Sequence, residues 1–159
     1  MATLTCATTL FSCGLACIES ILADNGIAKT QTEMIADFGH LFPQWVAQPG
    51  ITSPAACETV LKAAGLPVAV SWPTTSAEVV LRLGEANAVG AMFFVTKFYD
   101  DAVTRQTLSD LNHILRLTKA DQNGVEVMNP YRCPSPAALE DYNWQEVVSF
   151  QGAIAVFKK

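Results

Sequence analysis

The sequence predicts a single α+β domain over residues 1–159, in which N-terminal helices pack on a C-terminal antiparallel sheet. Helix signals occupy the first half of the chain, whereas strand-length apolar runs and an Asn-Gly turn occupy the second half. Of all residues, 50% are hydrophobic and only 16% are charged, so the chain can bury a sizeable core. These features indicate one folding unit without repeats or linkers.

The first helix is predicted over about 13–24, where apolar residues recur at helical spacing along one face. Ser12 is the expected N-cap, because its hydroxyl can accept a hydrogen bond from a free N–H of the first turn. Cys13 then lies in that turn, where the free N–H groups and the helix dipole are expected to lower the pKa of a thiol. This position makes Cys13 a candidate nucleophile.

The other helices are predicted from their N-terminal signals. Thr30 has the form of a capping box with the Glu three residues later, and it begins a helix that extends to about 38. Ser53-Pro54 places Ser at the cap and Pro at the first position of a third helix. A fourth helix is predicted from 75 or 76 to about 85.

Apolar runs of strand length predict the rest of the fold. Strands are predicted over 66–72, 89–98, 113–119, 125–128 and 152–157, a short helix within 143–150, and loops over 99–109 and 132–141. Asn123-Gly124 is a strong signal for a hairpin turn. The two strands that flank this turn are therefore expected to pair.

Composition and charge argue against several classes of function. The net charge is −5 and no basic cluster is present, which argues against nucleic-acid binding. No apolar run reaches the ~18–20 residues of a membrane span, and the N-terminus lacks the basic and apolar regions of a secretory signal. The expected location is cytoplasmic, or outside the cell by a signal-free export route.

Most of the five cysteines are expected to serve in packing. Their odd number and irregular spacing do not suggest a disulfide framework. The chain has two histidines and no Cys-x-x-Cys, which argues against a structural zinc site, and no metal or cofactor is implied. Packing is the favoured role of Cys17 and Cys57, although Cys17 lies one turn after Cys13 and a regulatory disulfide between the two stays open.

The predicted hairpin supplies partners for a thiol nucleophile. His113 begins one of its strands and Asn129 follows the other, so both lie at the same end of the hairpin. A catalytic cysteine is activated by a neighbouring histidine whose imidazole is oriented by a third group. In this interpretation Cys13 is the nucleophile, His113 is the general base and acid, and Asn129 holds the imidazole through its side-chain oxygen.

The expected register of the hairpin does not by itself bring these partners together. A tight turn at Asn123-Gly124 pairs positions whose numbers sum to roughly 246–247. That register places Asn129 opposite 117 or 118, and His113 near 133. A bulge, a strong twist or a long side-chain reach is therefore needed for contact between His113 and Asn129.

Four motifs follow one another along the chain. They are Cys13-Gly14-Leu15-Ala16-Cys17 at a helix start, His113-Ile114-Leu115-Arg116-Leu117 in a strand, Asn129-Pro130 after the hairpin, and a closing strand after Trp144. In these motifs the chain resembles the papain-like cysteine peptidases, most closely the compact bacterial branch that includes the leader peptidase domains of bacteriocin-exporting transporters. The resemblance covers nearly the whole chain, and it implies a papain-like fold with Cys13, His113 and Asn129 as catalytic residues.

The chain departs from this family at the position of the oxyanion donor. The family usually has a Gln about six residues before the nucleophile, and that position here is Ala7. Loss of one such donor costs ~100- to 1000-fold in rate. Thr8 and Thr9 are the nearby hydroxyl donors that can substitute for it. The orienting residue is Asn129, where the compact branch often has Asp.

Two functions of different classes follow from the resemblance. The first is a thiol hydrolase or transferase that acts on a peptide or protein substrate through a thioester, as a peptidase, a protein glutamine deamidase or an acyltransferase. The alternative is a catalytically impaired papain-like fold that binds a peptide or a partner protein, and Ala7 supports it. Judged by its residues alone, the chain is also compatible with an unrelated α+β domain in which Cys13, His113 and Asn129 never meet.

Overall fold

Helices dominate the first half of the chain and strands the second in the structure, a computed structural model that describes residues 3–9, 11–99, 108–131, 139–147 and 150–158. The helices are α1 (Cys13–Asp24), α2 (Gln31–Phe38), α3 (Pro54–Ala63) and α4 (Ser76–Leu83), with 3₁₀ turns at Gly39–Leu41 and Pro43–Val46. The strands are β1 (Val68–Ser71), β2 (Ala88–Tyr99), β3 (Leu108–Ala120), β4 (Gly124–Met128), β5 (Leu139–Asn143) and β6 (Phe150–Lys158).

The strands form one sheet in the order β1-β6-β2-β3-β4-β5, and every neighbouring pair is antiparallel. Three helices precede most of the sheet in the chain, so the architecture is the α+β class that the sequence predicts. Within the described ranges, no helix combines the length and the apolar character needed to cross a membrane.

Apolar side chains cover both faces of the sheet. Ile18 of α1 packs in one cluster with Met92 of β2, and Val79 of α4 packs in a second cluster with Phe93. Met92 and Phe93 serve different clusters because successive residues of a strand point to opposite faces. Burial of each such side chain stabilises the fold by about 1.5–3 kcal/mol. The sheet therefore fixes α1, and with it the first residue of that helix.

The predicted caps are present at three helices but not at α1. The side chains that accept a hydrogen bond from a backbone N–H of the following helix are those of Thr30, Ser53 and Thr75. The Ser12 hydroxyl instead accepts from the N–H groups of Thr8 at 3.1 Å and Thr9 at 2.9 Å. With φ −100° and ψ 22°, Ser12 lacks the extended backbone of the other caps, so its hydroxyl serves the preceding segment.

The predicted short helix within 143–150 is wrong for its described residues, and so is the end of the predicted loop over 132–141. A strand, β5, forms there and pairs with β4. Glu140 and Tyr142 are buried between exposed neighbours, and the Tyr142 hydroxyl donates to the Glu140 carboxylate at 2.5 Å. This buried acid hides the apolar–polar alternation by which strands are recognised. Strand β3 also begins inside the predicted loop 99–109, of which 100–107 lies outside the described residues.

One cysteine contradicts the expectation from the cysteine count. Cys6 is disulfide-bonded, whereas Cys13, Cys17 and Cys57 are free and buried. An odd number of cysteines prevents complete pairing but not a single bond, so the count could not exclude one. Cys133 lies outside the described residues.

Candidate active site

Cys13 is the first residue of α1, is 7% exposed, and lines a cavity of about 440 Å³. One wall of the cavity is formed by the start of α1 and by the segment between α2 and α3. The other wall is formed by β2, β3 and the residues that follow β4. The lining residues are Phe11, Cys13, Gln44, Gln48, Ile51, Thr52, Ser53, Pro54, Phe94, Val95, His113, Ile114 and Tyr131. A Cβ on Gly14 would lie 2.1 Å from the Thr52 Oγ1. Only glycine therefore lets this wall approach the start of α1.

A buried amide, that of Gln31, fixes the segment that leads into α1. Its Oε1 accepts hydrogen bonds from the Thr8 N–H at 3.0 Å and from the Ser12 hydroxyl at 2.9 Å. Its Nε2 donates to the Cys6 carbonyl and to the Glu19 carboxylate, each at 2.7 Å. Gln31 is 1% exposed, and a buried polar group with all of its partners rigidifies its surroundings. Sequence reasoning missed this residue, because nothing local distinguishes it from other helix-start residues.

A β-bulge in the β3–β4 hairpin determines where His113 and Asn129 lie. Leu117 pairs with Val127, and the register then shifts so that Thr118 has no paired residue. Continued from Leu117 and Val127, the pairing puts Asn129 opposite 115, so the predicted position opposite 117 or 118 is wrong. The sequence predicts that contact between His113 and Asn129 needs a bulge, a strong twist or a long side-chain reach, and the structure contains a bulge.

The His113 ring and the Asn129 amide form a buried hydrogen bond. His113 Nε2 and Asn129 Oδ1 lie 2.8 Å apart, and the residues are 2% and 4% exposed. The same Oδ1 accepts a hydrogen bond from the Tyr131 N–H at 3.1 Å. Because a backbone N–H can only donate, this atom is the amide oxygen, and Nε2 must carry the proton of a neutral ring. The basic nitrogen of His113 is then Nδ1.

Tyr131 links the histidine to the thiol, although the sequence alone assigns it no role. Its ring stacks on the His113 ring, with centroids 4.8 Å apart and an interplanar angle of 10°. Its hydroxyl lies near the Cys13 thiol and the Cys13 backbone N–H, close enough for each group to affect its pKa. The pairing that puts Asn129 opposite 115 also brings Tyr131 opposite His113. The register of the β3–β4 hairpin could therefore have identified Tyr131 as a neighbour of His113, but the bulge made that register unpredictable.

Burial raises the pKa of the Cys13 thiol above its usual value of 9.0, and hydrogen bonds from the Ile114 backbone and the Tyr131 hydroxyl oppose this shift only in part. The expectation that the helix start lowers this pKa is wrong, because desolvation of the thiolate outweighs the favourable N–H groups. The resting thiol is therefore protonated at neutral pH.

The other two free cysteines are core residues, as predicted. Cys17 and Cys57 are both 0% exposed. Burial raises the pKa of Cys17 well above its usual range, and it raises the pKa of Cys57 to about 12. The Cys17 thiol donates to the Ile114 carbonyl at 3.7 Å. Neither thiol is suited to attack a substrate.

The hydroxyls suggested as oxyanion donors are engaged elsewhere. The Thr8 hydroxyl donates to Gln31 Oε1 at 3.3 Å, and the Thr9 hydroxyl donates to the Pro49 carbonyl at 2.9 Å. Neither threonine lines the cavity. The structure thus does not bring Thr8 or Thr9 together with the thiol.

Position 7, where the resemblance expects an amide, adjoins the end of the hairpin. The Ala7 N–H donates to the Pro130 carbonyl at 3.0 Å, and Tyr131 is the next residue. Two side-chain amides that the sequence analysis did not single out, those of Gln44 and Gln48, line the cavity. In the described ranges no group of three or more His, Cys, Asp or Glu could hold a metal ion.

Comparison with known proteins identifies the fold. No protein-family model matches the chain, and no curated protein is significantly similar to it in sequence. A double glycine motif protease from an AMS/PCAT transporter, solved in complex with the leader peptide, matches with a TM-score of 0.64 and 11% identity over 100% of this chain and 93% of that one. The peptidase domain of Streptococcus ComA, a bi-functional ABC transporter involved in quorum sensing, matches with a TM-score of 0.63 and 12% identity over 100% of both chains. The chain has the α+β fold of these double-glycine peptidase domains.

Proposed function

We propose that the protein is a cysteine-dependent hydrolase of peptide or amide bonds, with Cys13 as nucleophile, His113 as general base and acid, and Asn129 as the residue that orients the imidazole. The observation that carries this proposal is the 2.8 Å hydrogen bond between His113 Nε2 and Asn129 Oδ1. It is made by a histidine that lines the same cavity as Cys13. The bond leaves Nδ1 as the basic nitrogen of a fixed ring.

The reaction starts from a neutral pair, because burial keeps the thiol protonated. As the Cys13 sulfur bonds to the carbonyl carbon, its proton passes to His113 Nδ1 and the C=O electrons move onto the oxygen. His113 then gives the proton to the leaving amine, the C–N bond breaks, and a thioester on Cys13 remains. Water hydrolyses the thioester and restores the thiol, while Asn129 holds the ring through both proton transfers.

A peptide is the substrate that the cavity supports best. Apolar side chains such as Phe11, Ile51 and Phe94 can bury substrate side chains, and Gln44 and Gln48 offer donors and acceptors to a peptide backbone. One of the structural neighbours is named as a complex with a leader peptide, and both are named as a protease or a peptidase domain. Deamidation of a protein glutamine uses the same machinery but releases ammonia instead of a new amino terminus.

Trapping of the thioester tests this proposal. The protein is incubated with a peptide library, quenched in acid and mapped by mass spectrometry, and we expect an acyl adduct on Cys13. A new α-amino group in the products identifies a peptidase, and ammonia identifies a deamidase. Cys13→Ala should give neither adduct nor product, whereas Cys57→Ala, a matched change in the core, should give both. Wild-type protein that gives no adduct and no product across the library contradicts the proposal.

A binding module without turnover is the second candidate, and one observation favours it. Cys13 is 7% exposed, and the Tyr131 hydroxyl lies near its thiol. A module of this kind would bind peptides in the same cavity with equal affinity in the wild type and in Cys13→Ala. Calorimetry on the peptides of the library, together with the absence of adducts, would identify it.

We further propose that residues 1–159 form one domain that works in an oxidising compartment. One sheet with helices on both faces, and a structural match over 100% of the chain, support the single domain. The disulfide of Cys6 favours the exported location over the cytoplasmic one, because disulfides persist in oxidising compartments. Alkylation of unreduced protein from cell fractions tests this, and Cys6 should be protected. Free Cys6 in the native protein would contradict it.

A further inference from the structure

We propose that Tyr131 is a further catalytic residue, whose hydroxyl donates a hydrogen bond to the oxyanion formed when Cys13 attacks the substrate. This inference rests on the proposed function. Tyr131 lines the same cavity as Cys13 and His113, and its hydroxyl lies near the Cys13 thiol and the Cys13 backbone N–H. The backbone N–H of a nucleophile is a common donor to the carbonyl oxygen under attack. Tyr131 therefore holds its O–H beside the place where negative charge develops.

The hydroxyl is held in this place by the same contacts that hold the histidine. The Tyr131 ring stacks on the His113 ring at 4.8 Å, and its backbone N–H donates to the Asn129 Oδ1 that orients His113. One amide oxygen thus positions both the base and the phenol. A donor held in this way needs only a rotation of its O–H bond when the charge appears, and such preorganised donors stabilise transition states strongly.

The phenol keeps its proton under working conditions. Burial, and then the neighbouring Cys13 thiol, raises the pKa of Tyr131 well above its usual value of 10.0. Before attack, the Cys13 N–H donates to the phenol oxygen, and the phenol O–H is available to the sulfur. During attack the thiol proton passes to His113, the S–C bond forms, and the carbonyl oxygen gains the electron pair. The phenol O–H then donates to this oxygen instead of the sulfur, without leaving Tyr131.

Among the described residues, the segment before α1 supplies no other side-chain donor to the cavity. Ala7 has no polar side chain, and its backbone contact with Pro130 places it next to Tyr131. The hydroxyls of Thr8 and Thr9 donate to other groups away from the cavity. A phenol that enters from the hairpin thus lies where the chain lacks an amide from the lead-in segment.

Replacement of the hydroxyl alone tests the inference. Tyr131→Phe keeps the ring that stacks on His113, and we expect kcat to fall ~100- to 1000-fold with KM within about twofold. Tyr142→Phe removes a phenol hydroxyl from β5, and it should leave kcat within about twofold. A peptide aldehyde forms a hemithioacetal on Cys13, in which a tetrahedral carbon bears the oxygen that corresponds to the oxyanion. Tyr131→Phe should therefore weaken binding of the aldehyde by a factor similar to the loss in kcat. Alkylation by iodoacetamide forms no such oxygen and should change far less.

Each outcome bears on one of the two proposals. Unchanged kcat and unchanged aldehyde affinity in Tyr131→Phe overturn the inference and leave the proposed function intact. A rise in kcat also overturns it, since the hydroxyl would then obstruct the carbonyl site. Wild-type protein that cleaves nothing and traps nothing overturns the proposed function itself. If Tyr131→Phe does not fold, 3,5-difluorotyrosine at position 131 is the alternative, because it keeps the size and the hydroxyl of tyrosine but has a lower phenol pKa. We then expect kcat to fall as pH rises through that pKa, since the phenol loses the proton that it donates.

Discussion

Strand β3 carries two buried polar clusters, one near each end of α1. Near the end of α1, Arg116 pairs with the Asp24 carboxylate at 2.6 Å and donates to the Ser20 hydroxyl. Near the start of α1, the His113 ring is hydrogen-bonded to Asn129 at 2.8 Å. Both clusters are built on the same strand, so the comparison between them isolates the chemistry of the side chains.

The two clusters differ in what they can exchange with a substrate. The Arg116 guanidinium is engaged by Asp24 and Ser20, and it does not line the cavity. The Asp24 carboxylate also accepts hydrogen bonds from the Thr3 N–H at 2.8 Å and the Thr3 hydroxyl at 2.5 Å. The Arg116 cluster therefore holds the N-terminal segment, α1 and β3 together, whereas His113 lines the same cavity as Cys13. We expect the first to govern stability and the second to govern activity.

The largest expected effect is the loss of activity in His113→Ala. Without a base for the Cys13 thiol, kcat/KM should fall on the order of 10⁴-fold on a peptide identified by thioester trapping. The buried hydrogen bond to Asn129 is also lost, which should cost about 1–3 kcal/mol of unfolding free energy. Steady-state kinetics and urea unfolding measure the two quantities on the same preparation. A fall in kcat/KM of less than about tenfold would contradict a catalytic role for His113.

The converse change is Arg116→Met, which should lower stability and spare activity. Loss of the guanidinium leaves the Asp24 carboxylate without its charge partner, and the unfolding free energy should fall by about 3 kcal/mol. Below the unfolding transition, kcat/KM should stay within about twofold, since Arg116 does not line the cavity.

A matched control is Lys62→Met, which breaks a helix-surface ion pair with Glu58 at 2.8 Å. The Lys62 side chain is 53% exposed, so the control should cost less than about 1 kcal/mol. If Arg116→Met costs no more than Lys62→Met, or if it abolishes activity while the protein stays folded, the division between the two clusters is wrong.

The parts of this fold that were predictable depend on local signals. Apolar spacing predicts α1 over 13–24, as observed, because helix periodicity is set within the segment. The contact between His113 and Asn129 depends on a bulge at Thr118, whose hydroxyl donates to the Glu126 carboxylate at 2.6 Å. No pattern in the sequence places a bulge there. Cys13, His113 and Asn129 could therefore be named from the sequence, but the register that joins His113 to Asn129 could not.

The ionisation of Cys13 shows the same limit. Its place at a helix start is a local property, and it favours a thiolate. Its burial depends on Tyr131 and on β3, which lie about a hundred residues further along the chain. The effect of burial on the pKa of Cys13 exceeds that of the helix start, so the pKa is raised. Tyr131 itself follows an Asn-Pro pair that resembles an ordinary turn, so only the folded hairpin shows that it reaches the thiol.

The two cysteines of α1, Cys13 and Cys17, should differ in how their rates of alkylation depend on pH. Because burial raises the pKa of Cys13 above 9.0, its iodoacetamide reaction should accelerate about tenfold per pH unit from neutrality up to that value, without a plateau. Cys17, which is 0% exposed, should stay unlabelled in the folded protein. Time-resolved labelling with peptide mapping measures both rates. A plateau of Cys13 reactivity below about pH 7 would instead indicate a resting thiolate–imidazolium pair with His113.

The smallest expected effect is a change in acid stability at the Arg116 cluster. Partial desolvation acts to raise the pKa of Asp24, but hydrogen bonds from Thr3 and Arg116 outweigh it and lower that pKa below 3.8. The unfolded chain then binds the proton first, so this contribution to stability is complete above about pH 4 and is lost as pH falls through the folded-state pKa. The free energy of urea unfolding should thus decline with acidification, and Asp24→Asn should flatten that decline. Asp37→Asn, at an exposed pair with Lys29, is the control, and equal slopes in the two variants would contradict the assignment to Asp24.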